Sequence, residues 1–127
     1  MARILVADDD RAVAEFVSRA LTHHNHEVTV VEDGVAALHA LQTSGPFDLL
    51  LTDIVMPQMD GIALALKVAR DYADLRVLLM SGYAAERQRA HNLDALIQRV
   101  ISKPFTLQEL VRVVNEVLAK PHGTKSH

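Results

Sequence analysis

A chain of 127 residues, half of them hydrophobic and 23% charged, supplies one packed domain and excludes both a second domain and global disorder. Its 13 basic and 16 acidic residues give a net charge of −3, without the basic excess of a nucleic-acid-binding surface, and it has no cysteine for disulfide or thiol chemistry. No apolar run reaches signal-peptide or membrane-spanning length, so the expectation is a soluble, cytoplasmic chain that binds neither nucleic acid nor membrane.

In chain order, the first strand is expected at residues 3–7 (Arg3-Ile4-Leu5-Val6-Ala7), running directly into Asp8-Asp9-Asp10. A helix follows with Val13, Phe16, Val17, Ala20 and Leu21 as one apolar face, Asp10 as its cap and Asn25 as a left-handed residue ending it. The second strand is expected at 27–31, and a second helix ends at Gly45-Pro46. The third strand, 48–52, is nearly all apolar and stops before Asp53. Beyond it Ile62-Ala63-Leu64-Ala65-Leu66 begins a third helix that is apolar over more than one face, with Ala63 or Leu66 as a possible exposed patch. The fourth strand, 76–80, precedes Ser81, and a helix carrying Arg87 and Arg89 on a solvated face comes next. The fifth strand, 98–101, is short and precedes Lys103-Pro104. Thr106 with Glu109 forms a capping box for a last helix with Leu107, Leu110, Val111, Val114, Val117 and Leu118 at helical spacing. Residues 120–127 form a polar tail expected to be disordered.

Strands alternating with helices imply right-handed crossovers and a parallel sheet covered on both faces. In such sheets the ligand site lies beyond the carboxyl ends of the strands. Four of those ends carry Asp8 to Asp10, Asp53, Ser81 and Lys103. A lone carboxylate after a strand most often only caps the next helix. Convergence alters that reading: carboxylates about 5 Å apart repel by roughly 3 kcal/mol per pair at an effective dielectric near 20. Either they take up protons or a cation sits among them, and oxygen ligands on short side chains favour a hard ion such as Mg²⁺. An Asp nucleophile beside such an ion, an ammonium and a hydroxyl suits phosphoryl transfer.

The segments ILVADDD (4–10), LLLTDIVMPQMDG (49–61), LLMSGYA (78–84) and ISKPF (101–105) resemble the receiver domains of bacterial two-component response regulators. The resemblance covers residues 2 to 119 and implies a receiver domain over 1–119. It implies a flavodoxin-like (βα)5 fold, a doubly wound five-stranded parallel sheet of order 2-1-3-4-5. It makes Asp53 the phosphoacceptor, Asp8 and Asp9 the acid pair for Mg²⁺, and the Val55 backbone carbonyl a further metal ligand beside the Asp53 carboxylate. Ser81 takes the place of the family's switch hydroxyl and Lys103 that of its phosphate partner. Pro57 and Gly61 shape the loop after the acceptor. The implied partners are a histidine kinase or histidine phosphotransfer protein and a downstream protein. Such a chain is a phosphoacceptor signalling domain rather than an enzyme, capable only of phosphorylation from a donor and of autodephosphorylation.

One position departs from the pattern. Many receivers carry an aromatic residue three positions before the lysine, and here Val100 has no ring to swing, leaving Tyr83 as a candidate substitute. Val55 and Tyr83 are both poorly suited to orient an attacking water, so slow autodephosphorylation is expected. His23, His24 and His26 sit at a helix end and face different directions, which argues against a metal cluster. Met56 and Met59 belong to the loop and its packing. Within the family the pattern is most like stand-alone receivers that act by protein contact, including an adaptor of the ClpXP protease that is active when unphosphorylated. A start at Met1 and the short tail favour this over a receiver excised from a hybrid histidine kinase. A Mg²⁺-dependent phosphatase with an aspartyl nucleophile is the other class; it would want a second Asp where Val55 stands, and a cap-sized insertion. A degenerate receiver that only docks would lack some of the five active-site groups, all of which are present.

Overall fold

The computed structural model describes residues 2–82 and 99–119. Five strands, β1 (Arg3–Ala7), β2 (Glu27–Val31), β3 (Leu49–Asp53), β4 (Arg76–Ser81) and β5 (Arg99–Ser102), form one sheet. Every pairing is parallel and the order is β2-β1-β3-β4-β5, the flavodoxin-like arrangement that the family resemblance implied. The described helices are α1 (Arg11–His23), α2 (Gly34–Ser44), α3 (Gly61–Asp71) and α4 (Leu107–Ala119). The helix expected between β4 and β5, with Tyr83, Arg87 and Arg89, lies outside the described residues, as does the tail from Lys120 to His127.

Side chains alternate between the two faces of the sheet, as a period of two requires. Leu5, Ala7, Leu50, Val77 and Leu79 pack against α2 and α3, joined by Ala37, Leu41, Leu64 and Val68. Ile4, Val6, Leu49, Leu51, Leu78 and Met80 pack against α1 and α4, joined by Val17, Leu21, Leu110 and Val114. Each fully buried Leu or Ile contributes roughly 1.5–3 kcal/mol by leaving water, so two such layers hold the central strands in place.

The helix ends follow local chemistry. Asp10 accepts from the Ala12 and Val13 amides and caps α1, and its far end closes on Asn25 at φ 70°, with the His26 amide reaching back to the Leu21 carbonyl. Gly45 caps the end of α2. The capping box of α4 is reciprocal: the Thr106 amide donates to Glu109 Oε1 at 2.9 Å and the Glu109 amide donates to Thr106 Oγ1 at 3.0 Å.

Three expectations need correction. The third strand begins one residue later than expected and includes Asp53, because the ladder to β4 continues to the pair Asp53 and Met80. The fourth and fifth strands likewise extend to Ser81 and Ser102, which pair with each other, so Ser81 ends β4 instead of following it, while Lys103 still follows β5. Phe16 is not part of the α1 core: Ala14 takes the buried position, and Phe16 stands 40% exposed with its ring 6.2 Å from that of Phe105. On α3, Ile62, Leu64 and Ala65 are buried while Ala63 and Leu66 face outward.

Candidate functional site

The polar ends of β1, β3, β4 and β5 meet at one edge of the sheet because parallel strands in register end together. Asp8, Asp9 and Asp53 each offer a carboxylate oxygen, and the three oxygens lie within 4.8 Å of one another. Asp8 and Asp53 are buried and Asp9 is exposed, so the cluster opens to solvent on one side. Lys103 reaches across from the end of β5: its Nζ stands 3.0 Å from Asp53 Oδ1 and 3.3 Å from Asp8 Oδ2. The other Asp8 oxygen accepts the Asp10 amide at 2.9 Å.

Burial and charge oppose one another at this edge. Burial raises the Asp8 carboxyl above its ordinary range, against the opposing pull of the Asp10 amide and Lys103. Burial likewise raises Asp53, with Lys103 pulling it down and Asp8 pushing it up. Burial alone would lower the Lys103 ammonium, but hydrogen bonding and charge from Asp53, then Asp8, outweigh it and hold it above its usual range. One ammonium thus serves two buried carboxylates with a third beside them. A divalent cation would relieve the remaining repulsion, and an all-oxygen set of short carboxylates suits a hard ion.

Ser81 is buried at the end of β4, one residue beyond the register partner of Asp53. Its carbonyl accepts the Lys103 amide at 2.7 Å, so the β4 and β5 ends that present Ser81 and Lys103 are tied directly. Val55 follows the buried Ile54, and its side chain is 55% exposed. The loop it belongs to is pinned at both ends. The Ile54 amide donates to the Met80 carbonyl at 3.2 Å, and the Gly61 amide donates to the Ile54 carbonyl at 2.7 Å. A side chain at Gly61 would collide with the Asp53 carbonyl, so only glycine allows α3 to start so close to the end of β3. Thr52 Oγ1 donates to the Asp53 carbonyl at 2.9 Å and lies 3.8 Å from Met56 Sδ, which anchors the buried Met56 under the loop.

An open cavity of about 580 Å³ leads to Asp53. Among the described residues its walls include Val13, Phe16, Val55, Lys103, Pro104 and Phe105, so an acidic and basic floor lies beneath apolar sides. The sequence reading missed these walls because Phe16 fits the α1 stripe equally well as core. The available signal was its place at the stripe's edge, opposite an aromatic following Lys103-Pro104. The histidines are engaged elsewhere: His26 Nδ1 accepts the Ala2 amide at 3.2 Å, and His24 Nδ1 lies 2.9 Å from the Ala20 carbonyl. No described helix is long and apolar enough to cross a membrane.

Residues 4–115 match the family described as the response regulator receiver domain. The chain is similar to the response regulator receiver protein CpdR of Brucella abortus, 40% identical over 118 residues that span 93% of this chain and 98% of that protein. It is 35% identical to the response regulator MprA of Mycobacterium avium, again over 93% of this chain, but spans only 51% of that longer protein. Among solved structures, the Francisella response regulator 1452 receiver domain superposes with a TM-score of 0.83 at 28% identity, covering 93% of this chain and 97% of that one. TrrA of Thermotoga maritima, solved in complex with Mg²⁺ and BeF, superposes with a TM-score of 0.82 at 28% identity, covering 92% of this chain and 99% of that one.

Proposed function

The chain belongs to the receiver-domain family of response regulators, and from that premise we propose that Asp53 accepts a phosphoryl group from a histidine kinase or histidine phosphotransfer protein, with Mg²⁺ held by Asp8, Asp9, Asp53 and the Val55 carbonyl. Receiver domains are phosphoacceptor signalling domains, not turnover enzymes, and this reading takes residues 1–119 as the receiver unit. The observation that carries it is the acid cluster with Lys103 Nζ 3.0 Å from Asp53, beside an open cavity of about 580 Å³ lined by both residues. Mg²⁺ bound with TrrA in a fold this similar supports the same ion here.

In the transfer, an Asp53 oxygen forms a bond to phosphorus as the donor's N–P bond breaks, and the bonding pair returns to the imidazole nitrogen. The metal, when bound, supplies positive charge to the oxygens of the transferring group. Lys103 already contacts Asp53 and moves its hydrogen bond to a phosphoryl oxygen once that carboxylate is phosphorylated. Ser81 donates to another oxygen, and because its carbonyl holds the Lys103 amide, the two strand ends respond together. Apolar side chains of Phe16, Phe105 and Val55 border the site, and Val55 offers no group to orient a hydrolytic water. The aspartyl phosphate should therefore last minutes, not seconds, in excess Mg²⁺ without a partner.

The test is phosphorylation by acetyl phosphate followed by peptide mass mapping. Wild type should gain one phosphoryl group on the peptide holding Asp53, Asp53→Asn none, and chelation of Mg²⁺ should abolish the gain. Modification at another residue would overturn the assignment. Output is read as control of protein contact. Identity of 40% along nearly the whole of CpdR supports the narrower role of a ClpXP adaptor active when unphosphorylated. Reconstituted ClpXP proteolysis, stimulated by the unmodified chain and not by its phosphorylated form, checks that role.

A further inference from the structure

Gly34, the first residue of α2, belongs to no group that touches a phosphate or a metal, yet its bare Cα faces the loop after the acceptor. Its backbone is not in the left-handed region, so dihedral freedom does not explain glycine there. Space does: a Cβ would stand 2.6 Å from the Met59 carbonyl oxygen and 2.8 Å from Met59 Cβ. Resting on the metal reading above, we infer that Gly34 is a positioning residue: its missing side chain lets Met59 lie against the first turn of α2 and so sets where the 54–60 loop presents the Val55 carbonyl.

Which partner would yield to a side chain decides the consequence. The helix is anchored: Asp33 caps it through the Ala36 amide at 2.8 Å, and Ala37 and Leu41 are buried against the sheet. On the loop, Val55, Pro57 and Gln58 are exposed, and Gln58 already holds φ 71°. The atom met first is backbone, so no rotamer change at Met59 relieves it. The Met59 amide bonds to the Pro57 carbonyl at 2.8 Å, a tight turn that ties Met59 to Pro57, and the buried Met56 is the one residue between that turn and Val55 through which a shift would pass. The Gly61 amide on the Ile54 carbonyl closes the loop at its base, leaving the displacement to be absorbed between those two points.

Gly34→Ala is the test, with Gly45→Ala as its control. A Cβ at Gly45 would meet the Leu41 carbonyl at 2.8 Å, a comparable crowding that involves no atom of the loop. Backbone amide spectra of metal-free protein report loop position, calorimetric Mg²⁺ titration reports the site, and thermal melts report stability. Gly34→Ala is expected to move the Val55 and Met59 amide signals and weaken Mg²⁺ binding about tenfold, the loss typical of outer supports to a metal site. Its metal-free melting temperature should not fall in proportion, since alanine is the better helix former. Gly45→Ala should leave both loop signals and affinity as in wild type. Unmoved loop amides in Gly34→Ala, wild-type Mg²⁺ affinity, or equal losses in the two variants would overturn the inference. Should wild type itself bind no Mg²⁺, the metal reading fails, and the loop amides alone then decide the positioning role: moved supports it, unmoved refutes it.

Discussion

The middle of β3 and its end differ by two residues in sequence and by sign in what they do for the fold. Leu50 and Leu51 are fully buried on opposite faces and gain from every neighbour they touch. Asp53, in the same strand and nearly as buried, sits beside Asp8, and burial works against its charge. The first region pulls the sheet together; the second is held in an unfavourable arrangement by it. The difference shows why a cluster of buried carboxylates lies at the end of strands with so much apolar support: the interior supplies a surplus, and the edge spends it on an arrangement water would disperse.

Substitutions along this line should separate the two regions. Leu50→Ala removes buried volume between the sheet and α2 and α3, and is expected to cost about 3 kcal/mol of unfolding free energy by denaturant titration. A loss under about 1 kcal/mol would mean the core is looser than its burial indicates. Lys103→Met comes next. It strands two buried carboxylates without their cation, but the Lys103 side chain is 22% exposed, so the loss should be about 2 kcal/mol, below that of a fully buried pair. Excess Mg²⁺ should recover much of it; a melt indifferent to Mg²⁺ would separate Lys103 from the metal site. Asp53→Asn is expected to act in the opposite direction and stabilise the metal-free protein by about 1 kcal/mol, the relief of repulsion and desolvation outweighing the lost contact to Lys103. A destabilised variant would show that the Lys103 contact dominates the edge.

The same contrast explains what the sequence made legible. Continuous apolar runs at 3–7 and 76–80 revealed strand positions, since a strand covered on both faces carries no polar side, whereas the order of the strands came only from the family resemblance. The convergence of Asp8, Asp9, Asp53 and Lys103 was legible too, because parallel strands bring their ends to one edge regardless of side-chain detail. The walls of the cavity were not. Whether Phe16 or Ala14 turns inward depends on how α1 rotates against β2 and α4, a tertiary choice within one apolar stripe. The role of Gly34 was equally silent, since a glycine opening a helix has the same local pattern whether or not a loop lies against it.

The smallest expected effect is the pH dependence of that strand-end conflict. Asp8 and Asp53 both have folded pKa values raised above the usual 3.8. Between 3.8 and those raised values the folded chain binds more protons than the unfolded one, so stability falls as pH rises through this window. The contribution is fully present below the unfolded pKa and lost at neutral pH. Acidifying metal-free wild type from neutral pH into the window should therefore add a stabilising term that Asp53→Asn, lacking one of the two carboxyls, shows only in part. The surface pair Arg70 and Asp71 works oppositely, with the Asp71 carboxyl lowered by its partner, but it is common to both proteins and drops out of their difference. The quantity to follow is the stability of Asp53→Asn minus that of wild type in denaturant titrations across the range. It should shrink on acidification, and saturating Mg²⁺ should shrink or reverse it at neutral pH, because the ion favours the charged carboxylates. A difference that stays constant across the window would mean that the two acids are not in conflict at the end of the sheet, and the contrast with the middle of β3 would lose its electrostatic half.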